Sequence, residues 1–199
     1  ELLNINVLDN ENVLKSVTKA HNIFNGLDIC FFNAGVYESM TYEQWDISNF
    51  ESMININYLG AIRVLKPLIA FLEKQNHKST IVLNASLSSY FGLPYGGAYS
   101  ASKAALVNFA QAIQPELQRK NNEIQIINDG FVKTRLAANN DFEMPQLMEV
   151  NYAAKKIFEG LNKPYKFEIS FPFVLSKFLR LLSLLPYKWS FSICKKFLK

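Results

Sequence analysis

Tyr99 and Lys103 stand four residues apart, and Ser86 lies thirteen residues upstream of the tyrosine. On a helix, residues at this spacing share one face, a turn from each other. A phenol ordinarily titrates near pH ~10, too high for a base at neutral pH. An ammonium held beside it favours the phenolate and lowers that value. The pair can therefore act as a general acid or base on a hydroxyl proton, and the Ser86 hydroxyl can hold a carbonyl or alcohol oxygen by a hydrogen bond. A Tyr-x-x-x-Lys pair on an exposed helix is ordinarily plain surface, so its meaning depends on the elements that carry it.

Residues 79–86 read as a short buried strand with Ser86 at its end, and residues 98–118 as a helix. Ser86 and Tyr99 can then meet across a loop punctuated by Gly92, Pro94, Gly96 and Gly97. Ala101, Ala104 and Ala105 let the helix pack closely. Upstream, the pattern predicts a helix over 13–24 that stops at Asn25-Gly26. The apolar run 27–32 reads as a buried parallel strand, and 42–72 as mainly helical. Strands are expected at 124–128 and 165–171. Alternating strands and helices argue for an α/β sheet with helical crossovers. Asn57, within the long helical stretch, is either a helix-packing amide or a site residue.

A length of 199 residues with 49% hydrophobic and 19% charged residues suits one domain with a sizeable core. Neither a P-loop nor a nucleophile elbow nor a zinc motif occurs. His21 and His77 lack metal-ligand spacing, so no metal is expected. Cys30 and Cys194 give no disulfide framework, which points to a reducing cytoplasm. The basic residues Lys177, Arg180, Lys188, Lys195, Lys196 and Lys199 fall within 171–199, where no acidic residue stands. Against a net charge of +4, this leaves residues 1–170 net negative and excludes a nucleic-acid surface on the main body.

The tail over 171–199 reads as a pair of basic amphipathic helices broken at Pro186. Phe173, Phe178, Leu179, Leu181, Leu182, Leu184 and Leu185 give the first a wide apolar face, while Trp189, Ile193 and Phe197 recur along the second. With no run of ~18 uncharged apolar residues, a spanning helix is not expected. Two readings stand side by side: peripheral contact with a membrane surface, or packing over the substrate pocket or a second subunit.

Taken together and in order, these residues resemble the short-chain dehydrogenase/reductase family over residues 2–170. Asn33-Ala34-Gly35 follows an apolar strand as the family's Asn-Ala-Gly does, and Asn57-Tyr58-Leu59-Gly60 is similar to its Asn-x-x-Gly. Ser86, Tyr99 and Lys103 fall at its catalytic Ser, Tyr and Lys. Gly130-Phe131-Val132-Lys133-Thr134 resembles the segment that touches the nicotinamide. Asn6-Val7-Leu8-Asp9 sits where the family has Asp-Val-x-Asp, near the adenine.

The resemblance implies a Rossmann-like, doubly wound parallel sheet over 1–170, NAD or NADP as cofactor, a small alcohol or carbonyl substrate, and a homodimer or homotetramer. It implies that Tyr99 exchanges a proton with the substrate oxygen, that Lys103 lowers the Tyr99 pKa and binds the nicotinamide ribose, and that Ser86 orients the substrate. Asn57 would hold a relay water through its backbone. Asn6, Asn33, Ala34, Gly35, Gly130, Val132 and Thr134 would contact the cofactor, with Thr134 at the carboxamide. Residues 136–149 would form a mobile loop over the substrate; with that loop, Phe91, Leu93 and Tyr95 suggest an apolar pocket, and packing is the equal alternative for these residues.

Two departures from the family accompany the resemblance. Asp129-Gly130 stands where the family has Pro-Gly, and the carboxylate either repels a pyrophosphate or turns to solvent. The family's glycine-rich phosphate turn does not occur in the sequence. The family's first two strands would then lie outside the chain, with 2–7 kept as its third strand and 27–32 left as an apolar sheet edge. An inactive fragment serving as a peripheral membrane or interaction module is the competing expectation.

Overall fold

The computed structural model describes residues 1–139 and 142–198. Residues 140 and 141 of the expected 136–149 loop, and Lys199 of the tail, lie outside the described residues.

Helix α1 (Asn10–Phe24) starts where the Asp9 side chain accepts from the backbone N–H groups of Glu11 and Asn12. It ends where Asn25 takes up a left-handed conformation, with Gly26 following at φ 133°. Strand β1 (Ile29–Phe32) follows. Helix α2 (Ile47–Met53) runs through a π-helical turn, Ile54–Leu59, into α3 (Gly60–Leu72). Strand β2 (Thr80–Asn84) leads through a short 3-10 turn, Leu87–Ser89, towards the long helix α4 (Gly97–Arg119). Strand β3 (Glu123–Asp129), α5 (Val150–Leu161) and β4 (Glu168–Phe171) complete the sheet. The tail forms α6 (Phe173–Leu184) and α7 (Tyr187–Cys194).

The four strands are all parallel and lie in chain order, β1-β2-β3-β4. Strand alternation divides the core into two layers. Ile81, Leu83, Ile124 and Ile126 face α1, α3 and α4, meeting Val13, Leu65, Leu68 and Leu106. Val82 and Ile127 face the other way, towards Ala153 of α5 and towards Met148 and Phe171. Helices on both faces make the sheet doubly wound, the expected α/β class.

The expected strand over 2–7 does not form: these residues have no strand conformation and pair with nothing in the sheet. Instead Asn12 Oδ1 accepts from Asn6 N–H at 2.6 Å and Asn12 Nδ2 reaches Asn4 O, tying the segment to the start of α1. A strand separated from β1 by two others has no ladder partner among the described residues, so its polar backbone takes local partners instead. As expected, β1 is the sheet edge, with Ile29 and Phe31 exposed. Helix α5 had no counterpart in the sequence reading, although Ala153, Ile157 and Leu161 repeat every four residues.

Gly160 of α5 touches β4 so closely that an added Cβ would lie 2.4 Å from Ile169 Cδ1 and 2.9 Å from both Cγ atoms. Overpacking of this kind costs about 1–3 kcal/mol, against about 1 kcal/mol that alanine gains over glycine in a helix. Gly160→Ala is therefore expected to lower stability to urea by about 1 kcal/mol. Adding Ile169→Val should restore part of the loss.

Candidate active site

The C-terminal ends of β1, β2 and β3 carry Asn33, Ser86 and Asp129, the edge at which open parallel sheets bind ligands. Helix α4 lies beside this edge and presents Tyr99 and Lys103 from its first turns.

Ser86 has extended backbone dihedrals, φ −173° and ψ 155°. Its N–H donates to Asn128 Oδ1 at 3.1 Å, and its Oγ accepts from the Ser88 N–H at 3.2 Å. The same hydroxyl faces the Tyr99 phenol closely enough to draw its titration down. Tyr37 meets the Tyr99 ring edge-on, with centroids 4.9 Å apart. Lys103 is only 4% exposed, and its ammonium donates to Asn84 O at 2.7 Å and sits 5.6 Å from the Tyr99 ring centroid. Gly35 lies against it: a Cβ there would be 3.6 Å from Lys103 Nζ and 3.4 Å from Asn57 Oδ1.

Asn57 sits in the π-helical turn and is fully buried. Its Oδ1 accepts from Val36 N–H at 2.8 Å, while Nδ2 donates to Val36 O at 2.9 Å and to Ser102 Oγ at 3.0 Å. Ser102 in turn donates to Tyr99 O at 2.7 Å. The amide thus clamps the Asn-Ala-Gly loop to α4, with its side chain wholly engaged.

The electrostatics reverse one expectation. Burial pushes the Tyr99 phenol above its ordinary value, and the Asp129 charge adds to this. The Ser86 hydroxyl opposes the rise without overcoming it. Desolvation pushes the Lys103 ammonium down to about 8, and it donates to Asn84 O. Asp129 neither points freely to solvent nor stands alone. Burial pushes it up, Lys103 pulls it back, and Asp129 in turn holds the ammonium up.

Asn57, Ser86, Tyr99, Lys103 and Gly35 are therefore brought together. Asn33 is joined to the cluster through Asn84, whose Nδ2 donates to Asn33 Oδ1 at 2.8 Å. Ala34 is exposed between them. Asn6 stands apart in the exposed turn before α1, its polar atoms engaged with Leu8, Asp9 and Asn12. Val132 bridges to Met148, and Thr134 lines a cleft of about 290 Å³ with Lys133, Ala137, Ala138, Met144 and Leu147. Gly130 has a packing reason to be glycine, since a Cβ would lie 2.8 Å from Pro172 Cδ. Of the two readings for Phe91 and Leu93, packing is the one seen: they lie against Leu87, Leu179 and Leu182. Tyr95 stacks on Phe142, which meets Phe131 edge-on.

Three polar residues of this site escaped the sequence reading. Ser102 lies between the tyrosine and the lysine, Asn84 two residues before Ser86, and Asn128 one before Asp129. Asn84 ends the apolar run 81–83, a signal that could have found it, whereas Ser102 and Asn128 stand among other polar residues of their elements and carry no such mark.

The profile of short chain dehydrogenases matches residues 1–145. The chain belongs to the short chain dehydrogenase family. An uncharacterized oxidoreductase of Myxococcus xanthus is 32% identical over 161 residues, 81% of this chain and 63% of that protein. A Botryotinia fuckeliana oxidoreductase is 27% identical over 169 residues, 84% of this chain and 61% of its own length. The chain thus spans less than two thirds of these relatives. A short chain dehydrogenase from Burkholderia cenocepacia, solved in complex with NADP, superposes with a TM-score of 0.82 at 18% identity, over 100% of this chain and 80% of that one. An alcohol dehydrogenase from Thermococcus sibiricus complexed with 5-hydroxy-NADP gives a TM-score of 0.73 at 22% identity, over 84% and 72%. These likenesses confirm the Rossmann-like fold.

Because Asp129 raises the Tyr99 phenol, Asp129→Asn is expected to bring its titration down. Ultraviolet phenolate absorbance, taken against a Tyr99→Phe background, reads this directly. The raised phenol also ties stability to pH. The native state keeps its proton above the unfolded value of about 10, so stability declines as pH rises past that point. Tyr99→Phe should flatten the decline in thermal melts at alkaline pH.

Proposed function

We propose that this chain is part of an NAD- or NADP-dependent oxidoreductase that interconverts an alcohol and a carbonyl at Tyr99. The observation that carries this reading is the convergence of the Ser86 hydroxyl and the Lys103 ammonium on Tyr99, a setting where one substrate oxygen could meet both hydroxyls. The residues around them suit a dinucleotide. Asn84 Oδ1 is buried with no hydrogen-bond partner, an acceptor that a ribose hydroxyl would satisfy. Gly35 leaves open a space beside the Lys103 ammonium that a side chain would fill.

When bound, the nicotinamide supplies or accepts the hydride. The chain's own residues govern the proton. A phenol pushed up by burial is protonated at neutral pH, the form that gives its proton to a carbonyl oxygen. Ser86 Oγ holds that oxygen. Lys103 would exchange Asn84 O for the ribose hydroxyls, and its charge would then favour the phenolate as the proton leaves. Asn57, with its side chain committed to Val36 and Ser102, would act through the backbone of its π-turn, as the holder of a relay water. Asn33, Ala34 and Gly35 would lie by the adenosine ribose, Asn6 by the adenine, and Gly130, Val132 and Thr134 by the nicotinamide. Tyr37, Tyr95, Phe131 and Phe142 favour an apolar substrate.

A second element of the proposal is peripheral membrane contact through 171–199. Phe173, Leu181, Leu184, Trp189 and Phe191 are exposed there, among Lys177, Lys188, Lys195 and Lys196. That pairing of an apolar face with cations suits an anionic bilayer interface. Among the described residues no helix is long and apolar enough to cross a membrane. Free thiols at Cys30 and Cys194 favour the cytoplasmic side.

Tyr99→Phe is expected to lower turnover by at least ~10²-fold while cofactor binding, followed by nicotinamide fluorescence, is kept. Retained turnover would refute the role of Tyr99. For the tail, joint replacement Leu184→Ser and Trp189→Ser should reduce co-sedimentation with phosphatidylserine vesicles, and unaltered sedimentation would remove the membrane from the account.

A further inference from the structure

Asn128 is 1% exposed, and the two ends of its amide do different work. Oδ1 accepts from the Ser86 N–H at 3.1 Å and from Ser89 Oγ at 3.2 Å. Nδ2 donates to Glu168 Oε1 on the neighbouring strand β4, at 2.5 Å. An ionised carboxylate only accepts, so the amide can face Glu168 only with its NH2 group. The carbonyl is thereby left for Ser86. Glu168 also accepts from the Tyr90 hydroxyl and is ion-paired through Oε2 with Arg180 of α6. Arg180 donates to the Tyr90 hydroxyl at 3.1 Å and lies 4.7 Å from the centroid of its ring.

We infer that Arg180 is a positioning residue for Ser86, acting through Glu168 and Asn128. Its cation keeps Glu168 an acceptor, Glu168 fixes which end of the Asn128 amide meets Ser86, and that amide sets where the Ser86 backbone and hydroxyl stand. Without the cation, Glu168 sits partly enclosed at 19% side-chain exposure with nothing to balance its charge. A protonated Glu168 would donate instead of accept. The Asn128 amide could then turn its NH2 towards the Ser86 N–H, setting two donors face to face. The tail helix α6 thus does more than cover the Leu87 cluster, because it sets the geometry of a residue on the far side of β4 and β3.

The significance for turnover rests on Ser86 orienting the substrate oxygen, whereas the test of the wire itself needs no turnover. In the 15N-labelled chain, Arg180→Met should shift the Ser86 amide resonance and speed its hydrogen exchange by about tenfold, the scale of one lost hydrogen bond. The amides of Leu179 and Leu182 in α6 should stay protected, and Arg180→Lys, which keeps the cation, should stay near the parent. Glu168→Gln, able to donate, should mimic Arg180→Met, and the two combined should do little more than either alone. An unchanged Ser86 amide in Arg180→Met would overturn the inference. So would loss of protection in α6 equal to that at Ser86, since Arg180 would then be a docking residue only. In turnover of an aromatic aldehyde with NADPH, Arg180→Met should lower kcat with the KM for NADPH unchanged. A chain inert towards aldehydes in its parent form would count against the proposed function and leave the amide measurement to decide this point.

Discussion

A buried ammonium imposes the strictest condition on this fold. Lys103 is nearly closed off from solvent, and an unpaired cation there would cost several kcal/mol. Its surroundings answer that cost. The Asn84 carbonyl accepts from it at the end of β2, Asp129 opposes its charge from the end of β3, and Gly35 lies beside it in the loop after β1. Three strand ends and the first turns of α4 are thereby registered on one nitrogen. Burial drives both Lys103 and Asp129 towards their neutral forms, and each restrains the other. Asp129 has a structural place in the site that a proline could not fill.

Around that centre, the polar residues hold loops and the apolar residues hold layers. The π-turn sets Asn57 inward, where its amide locks Val36 to Ser102 and so joins the loop after β1 to α4. On the other side of the sheet edge, Asn128 does the same for Ser86 and β4. The tail is drawn in by Leu179, Leu182 and Cys194, which pack on Leu87, Phe91 and Leu93. Those residues are thereby taken up in packing, while Tyr37 meets Tyr99 and Phe142 meets Tyr95 and Phe131.

Much of this was legible in the sequence because the signals are local. The apolar runs at β1 and β2, the Asn25-Gly26 stop and the spacing of Tyr99 to Lys103 each reflect a backbone or side-chain rule acting over a few residues. The rest depends on tertiary neighbours. A strand at 2–7 would need a partner that the described sheet does not offer, so Asn12 captured the segment. The Tyr99 shift runs upward, against the expectation from spacing, because spacing reports that Lys103 is near but not that both groups are desolvated beside Asp129. The pairing of Arg180 with Glu168 joins residues twelve apart across a strand and a helix, and nothing in their local sequence marks it.

The most direct test of the central claim, that this sheet edge is a nicotinamide site built around Lys103, is a titration of the 199-residue chain with NADH and with NADPH, followed by nicotinamide fluorescence. The account predicts saturable binding of at least one of them, with fluorescence enhancement abolished by Lys103→Ala in a chain whose melting curve shows that it remains folded. A folded parent chain that shows no saturable signal with either cofactor, or binding that Lys103→Ala leaves unchanged, would contradict it.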